Sequence, residues 1–224
     1  MATFDLDEQE QLDALQQFWR SYGRIVIAVA VAVVVGFGGT KWWELQVNTK
    51  AQSASSSFNK LESAGASEDL DLVSSTSREI IAEYGDTYYG DLARLNLART
   101  ESDKGKHEEA INLLRSVVDD SRDSSLVALA KLRLGALYLM TEEFNLAMTA
   151  LDGDADAAMS GLYADLRGDI YAAQNMNEKA LAAYQEALSL LQDGNPWVDI
   201  VQIKIDSLGS QGDFLYFARS FCRL

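Results

Sequence analysis

The 224-residue chain holds one cysteine, one proline and one histidine. A lone thiol, Cys222, closes no internal disulfide and supplies no multi-thiolate metal site. One proline, where about 5% is usual, excludes a Pro-rich or all-β architecture and suits long helices joined by short loops. Positive charge is also scarce, because 19 Lys and Arg face 34 Asp and Glu, for a formal charge of −15. Such a chain repels phosphate backbones and anionic surfaces, so nucleic acid is excluded as its main partner. Apolar residues are not scarce: at 48% of the chain they are enough to bury a core.

They are unevenly spread. Residues 25–40 carry no ionisable group and read I-V-I-A-V-A-V-A-V-V-V-G-F-G-G-T. Extended to 22–43, a helix reaches about 33 Å, the length needed for one membrane crossing. Phe18, Trp19, Tyr22, Trp42 and Trp43 flank it as interfacial aromatics, and Arg20, Arg24 and Lys41 can snorkel to headgroups. A cleaved signal peptide fits poorly, since Asp5, Asp7, Glu8, Glu10 and Asp13 precede the run and tryptophans follow it. The expectation is a single-span anchor. Its orientation stays open on charge alone, with Arg20 and Arg24 on one side and Lys41 and Lys50 on the other. Ala28, Ala32, Gly36 and Thr40 fall four apart and form a candidate packing face for another membrane helix.

After the anchor the chain repeats. Superposing L-R-L-G-A-L-Y-L-M-T-E-E-F-N-L-A on A-D-L-R-G-D-I-Y-A-A-Q-N-M-N-E-K-A brings Gly135 onto Gly168, Tyr138 onto Tyr171 and Ala147 onto Ala180, each 33 apart. Tyr184 and Ala187 follow at the spacing of the 34-residue helix-turn-helix tetratricopeptide pattern. Small residues at those places let two helices cross closely. A weaker copy upstream puts Ala98 in the glycine place and Ala110 37 residues before Ala147. Helical stretches near 45–63 and 69–84 are too irregular to count as a repeat and could cap the array. The predicted fold is all-α, a single N-terminal transmembrane helix followed by a short right-handed tetratricopeptide-like α-solenoid. Its parts are a tail (1–21), the span (22–43), the helical domain (44–208) and an extension (209–224).

The segments L-Y-A-D-L-R-G-D-I-Y-A-A-Q-N-M-N-E-K-A-L-A-A-Y-Q-E-A-L, Y-G-D-L-A-R-L-N-L-A and E-Q-E-Q-L-D-A-L-Q-Q-F-W together resemble the YfgM family over about residues 4–208. The resemblance implies a bacterial inner-membrane ancillary subunit of the SecYEG translocon, with a cytoplasmic N-terminus, one span and a periplasmic repeat domain. It also implies partners: periplasmic chaperones such as the prolyl isomerase PpiD, and nascent exported proteins. Residues 209–224 have no counterpart in that resemblance. Phe214, Leu215, Phe217, Phe221 and Leu224 could form a short amphipathic cap, although an extension without fixed order is preferred.

No catalytic constellation emerges. His107 lies in a polar K-G-K-H-E-E loop with no second histidine. Asp152, Asp154 and Asp156 alternate like a calcium loop, but Ala157 and Tyr163 stand where glycine and glutamate are required. Gly36–Gly39 lies within the apolar run and does not follow a strand, which removes a nucleotide reading. Met140, Met148, Met159 and Met176 read as core filler, and no cofactor is expected. Solenoids bind partners in the concavity lined by their first helices. That places Arg99, Leu132, Leu139, Asp165, Asp169 and Ala172 as candidate partner-binding residues, Arg99 and the two aspartates setting specificity. For Asp169 the competing role is a helix cap or an ion pair. The expected function is a membrane-tethered interaction module at the translocon, not an enzyme. The alternatives are an envelope adaptor that holds a signalling or assembly partner, and an enzyme using Cys222 or His107.

Overall fold

The computed structural model describes residues 19–28, 32–33, 49–66, 69–153, 158–191 and 194–208, and all regular structure among them is helical. The chain divides into two compact units, Met1–Gln52 and Ser53–Leu224. In the first, residues 19–28, 32–33 and 49–52 are helical. Trp19, Tyr22, Ile25, Val26, Ile27 and Val33 are all exposed there. No helix among the described residues is long and apolar enough to cross a membrane, and most of the 22–43 run lies outside them. Of the packing face, Ala28 and Ala32 are exposed, while Gly36 and Thr40 lie outside the described residues.

The second unit opens with helical residues 53–66 (α1). There follow α2 (Leu70–Tyr84), α3 (Tyr88–Asp103), α4 (His107–Asp120), α5 (Ser124–Met140), α6 (Phe144–Ala150), α7 (Ser160–Ala173), α8 (Asn177–Leu190) and α9 (Trp197–Ser207). Each packs mainly on its neighbours in sequence, with α5 also touching α3 and α7. This is the near-linear contact pattern of stacked helical pairs, so the all-α, tetratricopeptide-like expectation is met.

Three pairs share one construction. In α3–α4, α5–α6 and α7–α8 the first helix ends on a left-handed residue: Gly105 (φ 78°), Glu142 (φ 62°) and Asn175 (φ 60°). The next amide reaches back across the turn each time, from Lys106 N to Glu101 O (2.8 Å), Glu143 N to Tyr138 O (2.8 Å) and Met176 N to Tyr171 O (2.9 Å). The left-handed residues' own amides bond Ser102 O, Leu139 O and Ala172 O. These are Schellman turns, which satisfy the carbonyls that a helix end leaves over. They recur at the 37- and 33-residue spacings seen in the sequence, so the upstream copy with Ala98 is built like the other two. At the starts of α2, α3 and α5, though not of α7, a different device operates. Asp69, Thr87 and Asp123 cap α2, α3 and α5 by accepting from first-turn amides, whereas α4, α6 and α8 start from the turn with no side-chain cap.

Glu142 is the odd member, because a branched-free but bulky L-residue in the left-handed region costs about 1–2 kcal/mol that glycine does not incur. Glycine's larger unfolded entropy returns about half of that. Glu142→Gly is therefore expected to stabilise the domain by about 0.5–1 kcal/mol, read as a higher urea midpoint at unchanged slope.

The interior follows the small-residue pattern. Ala98, Ala110, Ala147 and Ala180 are buried, and α6 is only seven residues long. The largest cluster centres on α5, where Leu132, Leu137 and Leu139 meet Leu95, Leu166 and Ile170. A second joins Ala54 and Leu61 of α1 to Val73, Ile80 and Ala93. The stretches expected near 45–63 and 69–84 thus include two helices, α1 and α2, with their own core. The last cluster seats α9, with Val201 against Ala164, Ala180 and Tyr184.

Candidate interaction site

Of the six residues assigned to the concavity, Arg99 alone is exposed. Leu132 and Leu139 are core residues of α5, the helix enclosed by α3, α4, α6 and α7. Asp165, Asp169 and Ala172 on α7 are also buried, and the two aspartates are covered by α9. The structure therefore brings Asp165 and Asp169 together but separates their role from an open groove, since in this conformation they contact the chain itself.

What they contact is a lysine. The α9 sequence V-Q-I-K-I-D-S-L puts Val201, Lys204, Ile205 and Leu208 at i, i+3, i+4 and i+7, on one helix face. That face packs inward and carries the Lys204 ammonium with it. Lys204 Nζ donates to Asp165 Oδ1 (2.8 Å) and Oδ2 (2.9 Å) and to Asp169 Oδ2 (2.8 Å). Trp197 Nε1 donates to Asp165 Oδ2 (2.9 Å), and Tyr184 OH donates to Asp169 Oδ1 (2.7 Å). The side chains of Lys204, Asp165 and Asp169 are 1%, 0% and 2% exposed. Burial pushes the Asp169 carboxyl up to about 6, helped by the neighbouring Asp165 and opposed by Lys204 and Tyr184. Burial and the adjacent carboxylates likewise raise the Tyr184 phenol. The ion-pair role weighed for Asp169 is the one it plays. Neither spacing nor repeat position marks Lys204, Trp197 and Tyr184 as partners of the aspartates; the legible signal is a lysine on an apolar helix face.

A second polar cluster ties α2 to α3 and α4. Glu101, itself buried, accepts from Ser74 Oγ (2.9 Å) and Arg78 Nη2 (3.3 Å) through Oε1 and forms an ion pair with Lys106 Nζ (2.9 Å) through Oε2. Arg78 also pairs with Glu109, and Lys104 Nζ reaches Asp71 (2.7 Å) and Ser74 (3.0 Å). Burial raises the Glu101 pKa, but hydrogen bonds from Lys106 and Ser74 and the nearby positive charges outweigh it and hold the carboxyl below its ordinary value. His107, the first residue of α4, is half-buried beside this cluster in sequence. None of these groups forms a nucleophile–base pair.

Open surface lies at the junctions between pairs. A cleft of about 560 Å³ is bounded by Gly85, Tyr88 and Arg94 at the α2–α3 junction and by Asp120 and Arg122 at the α4–α5 junction. Tyr88 is exposed there, and the mixed charges suit a protein segment better than a small apolar ligand. Among the described residues no group of His, Cys, Asp or Glu is placed to hold a metal; Asp154, Asp156 and Cys222 lie outside them.

A family model described as a tetratricopeptide repeat-like domain matches residues 16–210. The chain belongs to this tetratricopeptide repeat-like family. The chain is 28% identical over 204 residues to a Neisseria gonorrhoeae protein named ancillary SecYEG translocon subunit, covering 91% of this chain and 98% of the relative. It is 28% identical over 206 residues to the Escherichia coli protein of the same name, covering 90% and 97%. A Haemophilus influenzae protein, also so named, is 21% identical over 184 residues, covering 82% and 90%. These near full-length matches bear out the resemblance to the YfgM family read from the sequence, and the family model covers the Schellman-turn pairs of α3–α8.

Proposed function

We propose that the protein is a membrane-anchored protein–protein interaction module associated with the SecYEG translocon, and that it carries out no bond chemistry. The observation that carries this reading is the near full-length match to three relatives that bear the translocon-subunit name. Residues 22–43 form the single span, with the tail cytoplasmic and the repeat domain periplasmic. Support comes from the uncharged run itself and from the exposed Trp19, Tyr22, Ile25, Val26, Ile27 and Val33, an apolar surface that lipid or a partner helix would cover. Tethering raises the local concentration of the repeat domain beside emerging chains. There it links exported proteins to periplasmic chaperones, a prolyl isomerase of the PpiD type among them. Arg99 and the Tyr88 cleft are the contact points this reading favours.

The test is photocrosslinking in native membranes with a photoreactive residue at Val33, at Arg99 or at Tyr88. Translocon adducts from Val33, together with chaperone or nascent-chain adducts from Arg99 or Tyr88, are expected. If Val33 yields only lipid or self adducts and the domain positions capture one regulator in fixed ratio, the export role falls and an envelope adaptor replaces it.

A further inference from the structure

Among the described residues the charge of the α7–α9 cluster does not balance. α7 contributes two carboxylates, Asp165 and Asp169; α9 contributes one ammonium, Lys204, and the Trp197 indole; α8 contributes the Tyr184 hydroxyl. Arg167 of α7 and Glu186 of α8 pair with each other at the surface (3.0 Å) and leave this count unchanged. With both carboxylates ionised, these described groups carry one excess negative charge in a site closed to water. Tyr184 and Trp197 donate hydrogen bonds but bring no charge. Two carboxylates that share one ammonium at low dielectric repel each other, so neutralising one of them relieves the excess charge.

We propose that the Asp165–Asp169 pair is a proton-dependent latch on α9. With one proton held by the pair the cluster is neutral and α9 is seated. With both carboxylates ionised the excess charge loosens α9, and the α7 face that bears Asp165, Asp169 and Ala172 is uncovered.

The direction follows from linkage. The Asp169 carboxyl, held up at about 6 by burial first and by Asp165 second, lies above its ordinary 3.8 when α9 is seated. The seated form therefore takes up a proton as pH falls through 6, and seating strengthens down to the ordinary carboxylate range. Between pH 7.5 and pH 5 the equilibrium for α9 opening should fall about tenfold. Glu101 acts in another window. Its carboxyl lies below its ordinary value of 4.5, so its contribution is intact above that value and is lost only at lower pH.

Hydrogen exchange on the full-length protein in nanodiscs tests the latch, comparing the 197–207 segment with the 107–120 segment at pH 7.5 and 5.0 after correction for intrinsic exchange. The expected result is about tenfold greater protection of 197–207 at pH 5.0, with 107–120 unchanged. Asp169→Asn and Asp165→Asn should each flatten the profile. A flat or falling profile in the unsubstituted protein, or the same rise in both Asn variants, overturns the latch. Should neither variant fold, the carboxyl ¹³C titration of Asp169 decides: a midpoint near 6 supports the proposal and one below 4 overturns it.

Discussion

Gly168→Leu is expected to lower the stability of the repeat domain by about 3 kcal/mol or more, the upper part of the range for overpacking a closed core. A Cβ at Gly168 would lie 2.3 Å from Tyr184 Cε1 and 2.4 Å from Cδ1, so even alanine forces something to move. The ring has nowhere to go. Tyr184 is fully buried, its hydroxyl is held by Asp169 at 2.7 Å, and the Lys204 ammonium stands 5.7 Å from the ring centre. Moving the ring breaks a bond inside the cluster that holds α9. Gly135, the equivalent residue one repeat earlier, is the control. Its Cβ would meet Leu166 Cδ2 at 3.2 Å and Leu151 at 3.3 Å, the ends of side chains that can give, and Ala98 already carries a methyl at the same place in the pair before. Gly135→Ala should cost less than about 1 kcal/mol. For a domain of this size 3 kcal/mol corresponds to about 6–12 °C in Tm, easily read by circular dichroism. Equal losses from alanine at 135 and 168 would show that contact with Tyr184 is not the cause.

That contact also explains why the repeats could be read from sequence at all. Close helix crossing restricts Gly135, Gly168, Ala110, Ala147 and Ala180 to small residues, and such restriction leaves a period. Two of the three turn residues, Gly105 and Asn175, are types that tolerate a left-handed backbone. Glu142 is not, and only its spacing gives it away. The candidate binding face was less legible. Position within the repeat correctly places Asp165 and Asp169 on a first helix, but whether that face is open depends on a residue far along the chain. Lys204 lies 39 and 35 residues beyond them, outside the repeat period that supplied the argument. Leu132 and Leu139 were misplaced for a simpler reason. α5 is in the middle of the stack and is covered on several sides, so its groove positions serve the core. Arg99, nearer the exposed edge of α3, keeps the accessibility the pattern implied.

Lys204→Met should cost about 3–5 kcal/mol, the range for removing one partner of a buried ion pair. The methionine fills much of the space left by the lysine stem, so the loss is electrostatic. Asp165 would keep only the Trp197 indole as donor (2.9 Å) and Asp169 only the Tyr184 hydroxyl (2.7 Å), while two like charges would face each other without a cation. Protonation is then the remaining relief. The Asp169 carboxyl, already disfavoured as an anion by burial, would be driven further towards the neutral form, so the deficit should be larger at pH 7.5 than at pH 5. Adding Asp165→Asn and Asp169→Asn to Lys204→Met removes both stranded charges and keeps acceptors for Trp197 and Tyr184. The triple variant is expected to recover most of the lost stability, because a neutral hydrogen-bonded cluster can replace a buried ion pair at little net cost. Urea unfolding of the single and triple variants at both pH values measures this. If the triple variant is as unstable as Lys204→Met, the lysine holds α9 through the packing of its stem and not through its charge.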